Sequence, residues 1–246
     1  MAGNANNSKP TAPKEIDVLF EDNHLLVINK PALLVTMGAR PDEPSLVNLA
    51  KDYIRDKYQK PGNVYLGVVS RLDSFVSGVI VMARTSKAAA RLNDQFRDKT
   101  ADKTYLAIVP QHPSLKSKGT LEHWLAKDES NHRMMTVAGG NSDSKTNSKA
   151  KLARLSYEVI GHHQQNCLLK IKLETGRKHQ IRVQLAATHC PIVGDRKYGS
   201  KASFSVGIAL HSRSLTIEHP TKREPMTFSA VPPRFWNVDG FKSDEE

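Results

Sequence analysis

The chain has 246 residues, 39% of them hydrophobic and 25% charged, an ordinary globular composition with enough length to bury a core without covalent staples. Two cysteines, Cys167 and Cys190, cannot form a disulfide framework or a cysteine metal site, no stretch nears the roughly 18 consecutive apolar residues of a membrane span, and residues 1–13 lack the apolar segment of a secretory signal, so secreted, fibrous and membrane-helix readings fall away and a reducing compartment is expected. The net charge is +11, and because residues 1–70 (eight of each sign) and 201–246 (six of each) balance, the whole excess lies in 71–200; charge alone fits a surface that meets a polyanion and one that only keeps the protein soluble equally well.

Residues 1–14, rich in Asn, Ser, Pro and Lys, read as a disordered tail. Segments 16–20 and 25–29 read as short strands around a Glu21-Asp22-Asn23 turn, and Lys30-Pro31 ends the second. Ser45 is a good N-cap for a helix whose Leu46, Leu49, Ala50, Tyr53, Ile54 and Lys57 share a stripe, with Pro61-Gly62 as its stop. Segments 64–69 and 79–83 are β-branched and apolar like buried strands, joined by a polar turn over 70–78. Ser86 is read as the cap of a second helix with Ala89, Leu92 and Phe96 on one face, and 104–109 as a strand. From 111 to 151 the pattern loosens, and 139–151 is read as a flexible loop. Strands are expected at 153–160, 167–173, 208–211 and 214–218, with a short helix over 179–188 placing Ile181 and Leu185 at helical spacing. Strands and helices alternate irregularly, which favours an α+β fold with a mainly antiparallel sheet.

Three segments stand out chemically. Ser70-Arg71-Leu72-Asp73 through Ser77-Gly78 puts an acid in a short loop between apolar strands, where it is held rigidly yet open to a ligand, as a nucleophile or base must be; the plain alternative is an aspartate that closes its own turn. Lys103-Thr104-Tyr105-Leu106-Ala107 sets a tyrosine in a strand, ordinarily a half-buried core position. In Thr175-Gly176-Arg177-Lys178-His179-Gln180-Ile181-Arg182 a glycine break precedes a helix carrying four basic side chains, a start that offers backbone N–H groups and cations to a phosphate, or else a solvated basic helix end.

Taken in order, these segments resemble the RluA-type branch of the pseudouridine synthases, RNA-modifying isomerases. The likeness rests on Arg71-Leu72-Asp73, Ser77-Gly78, Lys103-Thr104-Tyr105-Leu106-Ala107, Gly176-Arg177-Lys178-His179-Gln180-Ile181-Arg182, Pro191-Ile192-Val193-Gly194-Asp195 and Tyr198-Gly199, with Asn29-Lys30-Pro31, Leu210-His211 and His219-Pro220 as further landmarks. It runs from about Asp17 to Phe235. The His-Gln-Ile-Arg form separates it from the RsuA-like branch. Departures are Ser70 for the usual His, Val76 for Thr, Leu33 for Gly, Gln184 for His, and His189-Cys190 before Pro191 for Gly-His.

The resemblance implies a pseudouridine synthase fold, with a central mixed but mostly antiparallel sheet flanked by helices and a catalytic cleft across it. The catalytic domain would span 15–236, followed by an acidic tail at 237–246. The short N-terminal segment would leave no room for an appended RNA-binding module. The implied activity is isomerisation of uridine to pseudouridine in structured RNA, ribosomal or transfer. No redox change occurs, so neither metal nor organic cofactor is implied. Asp73 would be the essential carboxylate, attacking ribose C1′ or removing the C2′ proton, with Arg182 as its partner and Tyr105 against the base. Arg71, Lys103, Arg177 and Lys178 would bind RNA, and the target nucleotide must be flipped out or lie in a loop to reach a buried carboxylate. The expected protein is cytoplasmic and monomeric, with no membrane contact and no obligatory protein partner. The competing reading is a catalytically impaired RNA-binding homologue that acts as an RNA-folding factor.

Overall fold

The computed structural model describes residues 15–38, 40, 43–139 and 149–242. The 1–14 tail, most of the 139–151 loop and the last four residues of the 237–246 tail therefore lie outside the described residues. The strands are β1 (Asp17–Glu21), β2 (Leu25–Lys30), β3 (Gly67–Val68), β4 (Ser77–Ala83), β5 (Asp102–Pro110), β6 (Lys118–Asp128), β7 (Arg133–Val137), β8 (Lys151–His163), β9 (Asn166–Leu173), β10 (Leu210–Glu218) and β11 (Pro225–Ser229). The helices are α1 (Leu46–Tyr58), α2 (Ser86–Arg97) and α3 (Gln180–Ala187). The fold is α+β. One sheet runs β1-β2-β4-β10-β5-β9-β8-β6-β7, with β3 added to β4 and β11 to β10. Among the described strands only β4 and β10 pair in parallel, through His211↔Ser77 and Ser212↔Gly78.

Both faces of the β2–β4 pair are covered, which is why these strands read as unbroken apolar runs. Leu26, Ile28, Ile80 and Met82 pack with Leu46, Ala50 and Ile54 of α1. Leu25, Val27, Val79 and Val81 face the other way, onto Ala88, Ala89 and Leu92 of α2. Each large aliphatic side chain buried there contributes about 1.5–3 kcal/mol. The Ser45 side chain accepts the Asn48 N–H and so caps α1. Thr85, not Ser86, caps α2 by accepting the Ala88 N–H. Each such cap contributes about 1 kcal/mol.

Four sequence expectations are corrected. Only Gly67–Val68 of the 64–69 segment joins the ladder, while Val64 and Leu66 bury their side chains beneath α1 without pairing. The loosened 111–151 region contains the β6–β7 hairpin, in which the consecutive apolar residues Trp124, Leu125 and Ala126 interrupt the alternation that marks a strand. The expected strands at 208–211 and 214–218 are one strand, β10, irregular between Ser212 and Ser214. Finally, the edge strand β11 was not expected; it opens on Pro225 and is largely exposed. Beyond Trp236, a short turn over Val238–Gly240 brings Phe241 against Gly161, and Lys242 exchanges backbone hydrogen bonds with His162.

Candidate active site

The parallel contact between β4 and β10 fixes the site. Gly78 lies beside Ser212, and Ser212 lies beside Tyr105 of β5, so the register across three strands carries Tyr105 to the mouth of the loop that enters β4. Gly78 has φ +109°, and a Cβ there would lie 2.2 Å from the Ser212 carbonyl oxygen, so only glycine permits the two backbones to approach this closely. The loop itself is pinned. The Val76 N–H donates to the Asp73 carbonyl, and the Thr36 hydroxyl donates to the Leu72 carbonyl at 2.8 Å. The Lys30 ammonium, buried at the end of β2, donates to the carbonyls of Pro31, Leu34 and Ser74 at 2.8, 2.8 and 3.3 Å. Burial pulls the Lys30 amine down to about 7, while the nearby Asp73 charge acts in the opposite direction.

The Asp73 carboxylate, 25% exposed, sits at the end of a chain of charges. Arg182 donates from Nη1 to Asp73 Oδ2 at 3.1 Å. Its Nε and Nη2 grip Asp195 at 2.6 and 2.8 Å, and its guanidinium lies 4.9 Å from the centre of the Tyr198 ring. Asp195 is almost wholly buried, and the bidentate fork fixes the plane of the guanidinium and hence the third N–H aimed at Asp73. Arg182 stays firmly protonated: burial opposes its charge, but the hydrogen bonds and charges of Asp195 and Asp73 prevail.

His179 stands on the other side. Its Nε2 lies 3.6 Å from Asp73 Oδ1, just outside hydrogen-bonding distance, and its Nδ1 lies 2.8 Å from the Tyr198 hydroxyl. The Tyr198 oxygen also accepts the Met134 N–H, which anchors the Tyr198–His179 pair beside Asp73. Burial holds His179 down at about 4, so the ring is neutral at pH 7. Tyr105 is buried and in reach of the Ser212 hydroxyl. Burial pushes its phenol up to about 12, which keeps it protonated and makes it a wall for a base before it is a proton acceptor.

A cleft of about 580 Å³ opens here, in which Arg71, Asp73, Tyr105, Arg177, Lys178, His179 and Arg182 converge, with Lys30, Asp195 and Tyr198 behind its wall. Lys103 does not reach it; it lies beyond the rim, in an adjoining cavity. The segment after Gly176 departs from its expectation. Helix α3 begins at Gln180, and His179 precedes it in a left-handed conformation (φ +53°). The Gln180 side chain accepts the Arg177 N–H and the Thr175 hydroxyl, so the Arg177 N–H is not free for a phosphate. Arg182 points inward, whereas Arg177 and Lys178 stay exposed at the cleft. The sequence reading places none of Lys30, His179, Asp195 and Tyr198 among the catalytic residues, although all four stand in the motifs it quotes. Gln184, one of the departures, donates to the carbonyls of Leu121 and Ala153 beside His123, and its Oε1 is buried without a partner among the described residues.

The sequence matches the family described as RNA pseudouridylate synthase over residues 24–187. It is 35% identical over 211 residues to the uncharacterized RNA pseudouridine synthase YhcT of Bacillus subtilis, covering 85% of this chain and 66% of that protein. Against the ribosomal large subunit pseudouridine synthase D of Zymomonas mobilis it is 34% identical over 241 residues, covering 94% and 73%. Against the dual-specificity RNA pseudouridine synthase RluA of Escherichia coli (strain K12) it is 33% identical over 230 residues, covering 91% and 96%. The solved structure of human RNA pseudouridylate synthase domain containing 4 superposes with a TM-score of 0.72 at 24% identity over 90% of each chain, a likeness of fold.

Proposed function

The chain belongs to the RNA pseudouridylate synthase family, and from that premise we propose that its cleft isomerises a uridine of a structured RNA with Asp73 as the catalytic carboxylate. The observation that carries the assignment is the Asp73–Arg182–Asp195 chain: an accessible carboxylate oxygen, fixed by a buried guanidinium that a second, fully buried carboxylate orients. In the reaction the N1–C1′ bond breaks, the uracil turns, C1′ bonds to C5, the C5 proton leaves and N1 gains one; atoms and electrons balance without an oxidant. Asp73 either attacks C1′ or takes the C2′ proton. Arg182 holds the carboxylate in place for either role through a charge-assisted hydrogen bond. Neutral His179 stands beside the second carboxylate oxygen without adding a competing charge.

Tyr105 packs against the uracil while it turns, and its protonated state argues against a resting role as base. Arg71, Arg177 and Lys178 bind the RNA backbone around the cleft. The uridine is unpaired or flipped, since extrusion costs a few kcal/mol and least for unpaired bases. The RNA is ribosomal or transfer RNA, and the enzyme acts in the cytoplasm as a monomer on a domain spanning 15–236. The intact Asp73–Arg182 contact speaks against an RNA-folding factor without catalysis. The test is to incubate ribosomal and transfer RNA from cells lacking the gene with wild type and with Asp73→Asn, then map pseudouridine by carbodiimide derivatisation. Wild type is expected to create at least one new site and Asp73→Asn none; new sites with both proteins would overturn the assignment of Asp73.

A further inference from the structure

Beyond Tyr105, on the far side of the rim made by Arg71 and Gly176, a second cavity of about 380 Å³ opens between the end of α2 and the start of β5. That volume falls in the range of small-ligand pockets, roughly 300–1,000 Å³. Its charge is one-sided: Arg71, Arg97, Lys99, Lys103 and Arg177 line it against the single acid Glu174. Glu174 is paired with Arg154, and Arg97 is taken by Asp94 and Asp98. Arg71 and Lys99 have no ion pair or hydrogen bond to any described residue. Lys103 is half-buried over the Phe96 ring, 5.7 Å from its centre, and its amine would stand 3.5 Å from a methyl placed on Gly176. Burial pulls the Lys103 amine below its ordinary value; the neighbouring Asp102 charge offsets that only in part, and no described carboxylate forms an ion pair with it. An anion arriving between Lys103, Arg71 and Lys99 would.

We propose that this second cavity seats the nucleotide adjoining the target uridine, its phosphate held by Lys103, Arg71 and Lys99. The inference rests on the RNA reading of the cleft and adds a subsite to it. The two cavities share Arg71, Leu72 and Tyr105, so one nucleotide step leads from the uridine into the second cavity. Phe96 gives the subsite an aromatic floor beneath its cations. Lys99 and Arg97, at the end of α2, thereby enter the RNA surface from a helix that none of the family motifs touches.

Binding alone provides the test, so its failure is distinct from a failure of the isomerase reading, which would show as wild type forming no pseudouridine on any RNA. Wild type, Lys99→Ala and Lys99→Glu are titrated with fluorescent oligouridylate by anisotropy over a range of salt concentrations. Lys99 is exposed, and circular dichroism checks that each variant is folded. Lys99→Ala is expected to weaken binding several-fold and to lower the slope of log affinity against log salt by about one, with Lys99→Glu weaker still. On a uridine loop RNA, a methylphosphonate at one linkage beside the uridine should weaken wild type more than Lys99→Ala, which has already lost one of the three cations. Unchanged affinity and slope in both variants would overturn the proposal. So would inorganic phosphate or uridine monophosphate binding in a Lys99-dependent way while RNA binding ignores Lys99, because the cavity would then serve a free anion.

Discussion

Replacing Asp195 by Asn tests the charge chain that fixes Asp73. The two carboxylate oxygens of Asp195 hold Arg182 at 2.6 and 2.8 Å, with both side chains almost fully excluded from water. Asparagine removes the negative charge and turns one acceptor into an NH2 group facing a guanidinium. Breaking a buried pair from one side costs about 3–5 kcal/mol. For a domain of this size about 2–4 °C of melting temperature accompanies each kcal/mol, so the expected fall is about 6–20 °C. The guanidinium also loses its orientation towards Asp73, and a displacement near 1 Å costs on the order of a hundredfold in turnover. Urea unfolding followed by circular dichroism gives the first quantity and turnover on a mapped RNA the second. Arg182→Met combined with Asp195→Leu, which removes both charges, is expected to recover most of the stability and none of the activity, because the loss comes from an orphaned charge and not from missing contacts. If Asp195→Asn unfolds within about 1 kcal/mol of wild type, below the usual cost of an orphaned buried charge, and keeps its turnover, the clamp does not work as described.

Gly78→Ala places a methyl 2.2 Å from the Ser212 carbonyl at φ +109°, and strain plus overlap are expected to cost about 2–6 kcal/mol in urea unfolding; a neutral result would mean the β4–β10 contact is looser than drawn. Lys30→Met frees the Ser74 carbonyl next to Asp73, so turnover should fall by about tenfold or more with RNA affinity held, and equal losses in both would make Lys30 a general stability residue. His179 and His211 are both held near 4 by burial, below about 6.5 in the unfolded chain. The unfolded state binds their protons first as pH falls, so their contribution is complete above pH 6.5 and is lost on acidification towards pH 4. Unfolding near pH 5 should therefore take up close to two protons from this pair, and His211→Gln should remove about one; a variant with the wild-type pH slope would refute the buried neutral state.

The motif residues were legible where local rules fix them: Ser45 as a cap, the β2 and β4 runs, and an acid in a loop between strands. The α2 cap slipped by one residue because Thr85 and Ser86 are both good caps and only the backbone decides. The β6–β7 hairpin was missed because Trp124, Leu125 and Ala126 follow one another as apolar residues and break the period of two. Apolar residues 64–66 read as strand because burial beneath α1 imposes the same residue types as a sheet. In the candidate site, the motifs single out Asp73, Tyr105 and Arg182, but the part of Asp195 depends on a contact 13 residues away along the chain, between α3 and the turn that follows it. Nor did periodicity place Arg182: it predicts which face of a helix is apolar, and α3 is buried on nearly every side.

The claim on which the rest stands is that the carboxylate of Asp73 carries the isomerisation. Forming the C1′–C5 bond expels the hydrogen on C5, so RNA labelled with tritium at uridine C5 reports each turnover as tritium in water. Wild type should release it, and Asp73→Asn, which preserves shape and RNA affinity, should release it at least about a thousandfold more slowly. Release by Asp73→Asn within about tenfold of wild type, a barrier change of only about 1.4 kcal/mol, would contradict the account.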